Sequence, residues 1–430
     1  MNEKDLDRLA GEAWIFGYPL VLMDVSRQVM TAHGAPPNTF DHMRAFPDHT
    51  FTDVVTPNTD TLYSSAWLDL RAEPVVLSLP DMPSRYHMMP MLSAWTDVFA
   101  APGSRTTGDA GGEFAICPPG WTGTLPAAVA RIDAPTSMVW IIGRTSAAGT
   151  KDYLAVHALQ NNYLLSPLSE FAGESESPLV PPPLPDTTDL SAPVDQVANM
   201  DGPTFFGRLA MLLADNPSPD GTFVDSLAAL GVHPGLPLDL SDPAAAAAIS
   251  AAPSAGQAAL RRIGGEMSED RTNGWSIPRG LGDYGRDYNK RAYVSFLGLG
   301  ANLDADAIYP HATLDGEGRA LSGGNQYVMH FEAGELPPVN GFWSLTMYDD
   351  KQFFVDNPID RYAIGDRHDL VYGEDGSLDL WIQPEDPGGD FSANWLPAPT
   401  GSFNVVFRAY WPQPAAVDGT WAPPPLTRLD

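Results

Sequence analysis

The segment P57-N-T-D-T-L-Y-S64 sets a carboxylate, Asp60, and a phenol, Tyr63, three residues apart at the start of a β-rich run. Turn chemistry accounts for Pro57 and Asn58, since proline fixes one backbone angle and asparagine bonds its own backbone. It does not account for the carboxylate and the tyrosine. Together these two are material for general acid/base catalysis, in which one group takes a proton and another returns it. Four further clusters mix hydrogen-bonding side chains with aromatics: S84-R-Y-H87 with Asp97 downstream, F342-W-S-L-T-M-Y-D349, N357-P-I-D-R-Y-A-I-G-D366 and N394-W-L-P-A-P399. Apolar walls with a few convergent polar groups are what a small-molecule pocket requires.

The leading expectation is therefore an acid/base enzyme (a hydrolase, lyase or isomerase) that needs no organic cofactor and acts on a small, oxygenated, partly apolar molecule. Asp60 or Asp97 would be the base and Tyr63 or Tyr362 the proton donor. Arg85 or Arg361 would clamp a carboxylate or a developing oxyanion. Asn58, Tyr86, Trp343, Tyr348 and Trp395 would complete the substrate-binding surface. A second reading is a non-catalytic carbohydrate- or small-ligand-binding protein in which Trp67, Trp95, Trp343 and Trp395 stack on the ligand. A third is a structural assembly subunit. In the plainest alternative these Asn, Asp and Arg side chains only tie loops to strands and satisfy backbone groups.

Other patterns carry less. G280-L-G-D-Y-G285 satisfies G-x-G-x-x-G, but T-N-G-W-S-I-P-R precedes it where dinucleotide binding needs a buried strand, so a glycine-rich helix entry is expected. D41-H-M-R-A-F-P-D-H49 offers His42 and His49 at a spacing that fits no standard zinc pattern, so no metal is assigned. His157, on an apolar helical stripe, reads as a satisfied core histidine. Asp349-Asp350 reads as a turn, because neighbours on a strand point to opposite faces. No G-x-S-x-G, P-loop or H-E-x-x-H is present. Cys117 stands alone between Ile116 and Pro118 and reads as core.

These residues must be placed by a chain of 430, long enough for two or three folding units. A helical segment spans residues 1–35, interrupted at Gly17-Tyr18-Pro19 because proline removes a donor and clashes one turn back. A β domain fills 36–150, with short strands over Leu62–Leu70, Val75–Leu79, Tyr86–Trp95, Glu113–Cys117 and Met138–Arg144. A helical connecting region, 151–303, holds a proline-rich linker at Leu179–Pro185 and helices over Phe205–Leu213, Pro243–Ile263 and Asp287–Leu299. A second β domain, 304–430, has strands over Tyr327–Phe331, Phe342–Tyr348, Leu378–Ile382 and Phe403–Tyr410. The expected class is α+β, mainly β: two antiparallel, jelly-roll-like β-sandwich domains joined by a helical segment.

Net charge is −30, from 24 basic and 54 acidic residues. That opposes nucleic acid or an anionic membrane as partner and leaves a small molecule, with a homo-oligomer possible. No run approaches the roughly 18 apolar residues of a membrane span. The start, M-N-E-K-D-L-D, lacks the basic and apolar regions of a signal peptide, so the cytoplasm is expected.

With these clusters assembled, the chain resembles a bacterial family built from a tandem pair of domains of unknown function, numbered 1254 and 1214. The N-terminal resemblance runs from about Phe40 to Asp152 on P-N-T-D-T-L-Y-S, E73-P-V-V-L-S-L-P, S-R-Y and G103-S-R-T-T-G108. The C-terminal one runs from about Asp304 to Pro412 on F-W-S-L-T-M-Y, N-P-I-D-R-Y, N-W-L-P-A-P and F407-R-A-Y-W-P; Y284-G-R-D-Y-N-K-R-A292 adds to it. The resemblance implies a pair of jelly-roll-like β domains with helical connections and carries no agreed reaction. After S-R-Y the family often shows a second tyrosine and an aspartate soon afterwards, where this chain has His87 and Asp97.

Overall fold

The computed structural model describes residues 2–52, 54–173, 187–267 and 271–429. The linker expected at 179–185 lies outside them. The architecture is α+β, with mostly antiparallel sheets assembled as two sandwich-like halves beside a helical layer.

In the N-terminal half, strands Thr61–Asp69 and Met138–Ser146 form the centre of a six-stranded sheet. A four-stranded sheet centred on Val75–Leu79 and Gly112–Cys117 lies across it. Ala66, Leu68, Val75, Leu77, Met91, Ile116 and Ile141 close the core between them. The expected strand Tyr86–Trp95 is two short ones, His87–Met88 and Met91–Ser93, broken around Pro90, which has no N–H to donate. Cys117 is buried, as read, beside Val76 and Ala115.

The C-terminal half pairs a seven-stranded sheet, centred on Val339–Asp349 and Phe403–Pro412, with a four-stranded sheet centred on Gln326–Phe331 and Leu378–Gln383. Leu345, Met347, Phe407, Leu380 and Ile382 fill its core.

One expectation fails in the helical layer. Glu3–His33 is a single helix with Pro19 inside it, not two segments. Proline forfeits one backbone bond there, but every residue from Ala13 to Gln28 is buried. Helices Gly202–Asp215, Pro243–Met267 and Tyr288–Gly298 pack around it, so tertiary burial outweighs the local break. No described helix is long and apolar enough to cross a membrane.

The placement of polar groups follows from strand periodicity. Register sets Trp67 opposite Trp140 and Tyr63 opposite Arg144 on one face of the N-terminal sheet. Trp67 and Trp140 stack at 4.7 Å and join the core of the helical layer. Further along the same face, Tyr63 and Arg144 meet the C-terminal half instead. There, Phe342 lies opposite Tyr410 and Ser344 opposite Arg408, on the face turned away from that half's own core.

Candidate functional site

The knot at residues 57–64 is built locally first. Asn58 Oδ1 accepts from the backbone N–H groups of Asp60 and Thr61 at 2.9 and 3.0 Å, and its Nδ2 donates to the Tyr63 hydroxyl at 2.7 Å. The turn carries Asp60 to 1% exposure. Its carboxylate then meets the other half of the molecule. Oδ2 accepts from the Ser344 hydroxyl at 2.7 Å and the Tyr410 hydroxyl at 3.5 Å. Oδ1 pairs with Arg367 Nη2.

Arg367 is held on two further sides. Its Nη1 donates to the carbonyls of Asp60 and Ala147 at 2.8 and 3.0 Å, and its guanidinium lies 3.8 Å from the centroid of the Phe342 ring. Arg408 is buried behind it, donating to Thr346 Oγ1 at 2.7 Å, the Tyr348 hydroxyl at 2.6 Å and the Thr56 carbonyl at 3.0 Å. Tyr348 in turn donates to the Pro57 carbonyl. Thr56 keeps a φ of 51°, uncommon for a β-branched residue, with its N–H on the Gln352 carbonyl at 2.8 Å.

Burial pushes the Tyr410 phenol well above its ordinary range, and the Asp60 charge adds to the effect. Burial also pushes Tyr348 up to about 12 against the opposing pull of Arg408. Both are therefore hydroxyl donors at neutral pH. Burial alone would lower the Arg408 pKa, but Tyr348, Tyr410 and Asp60 outweigh it, and the side chain stays a cation.

An open cleft of about 460 Å³ borders this junction, lined by Ser84, Arg85, Ser146, Lys151, Asp152 and Arg367 among others. Arg85 grips Asp152 with both terminal nitrogens, at 2.6 and 2.8 Å, and donates to the Ser146 carbonyl at 2.6 Å. Its charge is thereby balanced by Asp152 at the cleft wall.

The residues singled out by sequence divide between two fates. Asn58, Asp60, Tyr63, Tyr86 and Tyr348 gather at the junction, with Arg85 at its rim. Tyr86 packs edge-on against Phe342 and Tyr410 and donates to the Asp306 carbonyl at 3.2 Å. The others go elsewhere. Asp97 accepts from Arg291 Nη2 at 2.7 Å and Tyr284 N–H at 3.0 Å, fastening the helix Tyr288–Gly298 to the N-terminal sheet; burial raises its pKa in spite of Arg291. Arg361 is spent on the carbonyls of Ser392, Ala393 and Trp395. Trp343 stacks on Phe407 within the C-terminal core, and Trp395 is buried with Nε1 on the Gln383 carbonyl. Tyr362 stacks on Phe354 and meets His49 Nδ1 at 3.1 Å.

The two histidines considered for a metal take separate partners, His42 binding Ser64 Oγ at 2.8 Å. His49 has Asp356 and Asp360 nearby, with ligand atoms within 4.8 Å of one another, but both aspartates are exposed and such groups form without an ion. His157 is half-buried with Nε2 at 2.6 Å from the Arg44 carbonyl. The glycine loop at 280–285 is filled by the protein itself: Gly280 and Leu281 N–H donate to Asp304, and a Cβ on Gly282 would meet the Asn302 backbone at 2.9 Å.

Arg144, Ser344, Arg367, Arg408 and Tyr410 were missed. The usable signal was alternation. In F403-N-V-V-F-R-A-Y410 and M138-V-W-I-I-G-R144, an arginine interrupts a strand too apolar to face water, so it must face a buried polar partner.

Comparison with known proteins adds family and fold. A model described as a protein of unknown function, DUF1254, matches residues 37–167, and one described likewise, DUF1214, matches 306–414. The crystal structure of the VPA0106 protein from Vibrio parahaemolyticus is similar at 26% identity and a TM-score of 0.78, covering 99% of this chain and 100% of its own. An uncharacterised protein from Burkholderia cenocepacia aligns at 13% identity and a TM-score of 0.46, covering 96% of this chain and 93% of its own. No curated protein matches. With its two halves matched in order by these models, the chain belongs to the tandem DUF1254–DUF1214 family.

Proposed function

We propose that the chain is a cofactor-independent acid/base enzyme acting on a small, partly apolar organic anion that enters the open cleft. The observation that carries this reading is the position of Arg367. One edge of its guanidinium is fixed inside the fold by Asp60 and Ala147, while the side chain borders the cleft. Arg85, Lys151 and Arg367 line the cleft; Arg85 is paired with Asp152 and Arg367 with the buried Asp60, which leaves one excess positive charge, that of Lys151, on the wall. In a chain of net charge −30, such a patch draws anions to one place. Pro83, Ala147 and Ala148 supply the apolar part of the lining.

Asp60, held by the hydroxyls of Ser344 and Tyr410 and paired with Arg367, is in this reading the base that takes the substrate's proton, while Tyr410 beside it keeps its own. Asp60 also holds Arg367 in place. Tyr86 and Tyr348 pack at the junction behind the cleft. A cytoplasmic location and a small homo-oligomer belong to the same proposal; fractionation and light scattering check them.

The test is an anion-enriched metabolite library followed by mass spectrometry. The wild-type chain should consume at least one carboxylate, and Asp60→Asn, folded by circular dichroism, should lose about 10²- to 10⁴-fold in turnover. Unchanged turnover in that variant defeats the assignment. The rival reading is a non-catalytic binding protein, favoured by the fact that both Asp60 oxygens are engaged within the protein. Saturable binding with no product formed would select it. Stacking by tryptophan is not part of either reading, because Trp67, Trp95, Trp343 and Trp395 are all buried in cores.

A further inference from the structure

We infer that the junction contains a second, buried site, formed by Arg144, Tyr63 and Tyr309, that binds a small carboxylate. It stands apart from the open cleft and holds whether or not the cleft is catalytic.

Two amides, Asn302 and Asn58, fix which way the neighbouring hydroxyl protons point. Asn302 Oδ1 must be the atom facing Arg144, because a guanidinium only donates; the Nη1–Oδ1 distance is 2.8 Å. Asn302 Nδ2 is thereby committed to donating to the Tyr309 hydroxyl oxygen. The Tyr309 proton is left to go elsewhere, and among the described residues it meets no acceptor. Asn58 imposes the same arrangement on Tyr63. Its Oδ1 accepts two backbone N–H groups, so its Nδ2 donates to the Tyr63 oxygen and the Tyr63 proton is also without an acceptor. The third donor is Arg144 Nε–H, which is buried and has no hydrogen-bond partner among the described residues.

Arg144 itself is 6% exposed, with its guanidinium 4.9 Å over the Tyr63 ring. Its Nη1 reaches the Ile142 carbonyl at 3.1 Å and Asn302, and no described carboxylate pairs with it. A buried cation without a counter-charge pays a large desolvation penalty, and unmet donors add to it. Burial pushes the Tyr309 phenol above its ordinary range, so it keeps its proton to donate. Tyr63 and Tyr309 are only half-buried. One positive charge and three donors lacking acceptors match a planar, singly charged oxyanion with two acceptor oxygens.

The test titrates the full chain with sodium acetate, and separately with sodium chloride at equal ionic strength, by calorimetry and thermal melting. Acetate should bind saturably and raise the melting temperature beyond the chloride control. Tyr309→Phe removes one hydroxyl and should weaken acetate about tenfold, as should Arg144→Gln; if the latter does not fold, the former carries the test. Arg131→Ala, at an exposed arginine outside both the cleft and this site, should keep the wild-type affinity, and Arg85→Ala reports on the cleft alone. Absence of saturable acetate binding overturns the inference, as do unchanged affinity in Tyr309→Phe and chloride binding that acetate cannot match. Loss confined to Arg85→Ala would put the anion in the cleft and overturn it equally.

Discussion

The strands Val339–Asp349 and Phe403–Pro412 have two faces made from the same stretch of chain with opposite chemistry. On one, Trp343, Leu345, Met347, Val405, Phe407 and Ala409 close an apolar core. On the other, Phe342, Ser344, Thr346, Tyr348, Arg408 and Tyr410 meet the N-terminal half through hydrogen bonds and a buried carboxylate. The difference teaches how the molecule divides its labour. The apolar face is non-directional and supplies stability, whereas the polar face is directional and fixes how the two halves meet.

Mutations can break this contrast. Phe407→Ala on the apolar face removes a fully buried ring stacked on Trp343 at 5.6 Å, and it should destabilise by about 3–5 kcal/mol in urea denaturation. Thr346→Val on the opposite face keeps the volume but takes away the acceptor of Arg408 Nη1; about 1–3 kcal/mol is expected, with the core unchanged. A neutral Thr346→Val would mean that the polar face contributes no more than contact. The smallest effect is a matter of pH. His87 is 2% exposed, and burial lowers its pKa against a contact with the Arg85 carbonyl at 3.0 Å. The folded state thus binds the proton less readily than the unfolded chain, whose histidines titrate near about 6.5. Its stabilising share is complete above that value and is lost as pH falls through the folded pKa, by at most about 1.4 kcal/mol per pH unit. His330, exposed and raised by its bond to Asp379, has the opposite sign: its contribution is present at low pH and lost as pH rises through its folded pKa. Melting His87→Gln and His330→Ala between pH 5 and 7.5 should separate the two slopes.

The strands were legible to within one or two residues where β-branched and apolar residues run between turn signals, as in Val75–Leu79, or alternate with polar ones, as at the start of Leu378–Gln383. Pro19 misled because local backbone chemistry was read without the helices that enclose it. Within the site, Asp60, Tyr63 and Asn58 were legible because an Asx turn concentrates polar groups over a few residues. Trp343 was misplaced by one strand position: its neighbours Phe342 and Ser344 face the junction, and it faces the core. Asp97 and Arg361 have the right chemistry, but each is consumed in fastening a helix or loop.

The sequence by itself determined the order of β and helical segments, the two families of strand, the acidic character of the surface and the presence of polar residues in strands too apolar for solvent. Those properties are written in neighbouring residues and in a period of two. Tertiary structure alone decided that Asp60 meets Arg367 and Ser344, and that Arg144 Nε is buried with no hydrogen-bond partner among the described residues. Such pairings join positions about 300 residues apart, as in Asp60 and Arg367. No local pattern encodes them, because a charge shows its partner only once packing has removed the water that would otherwise serve.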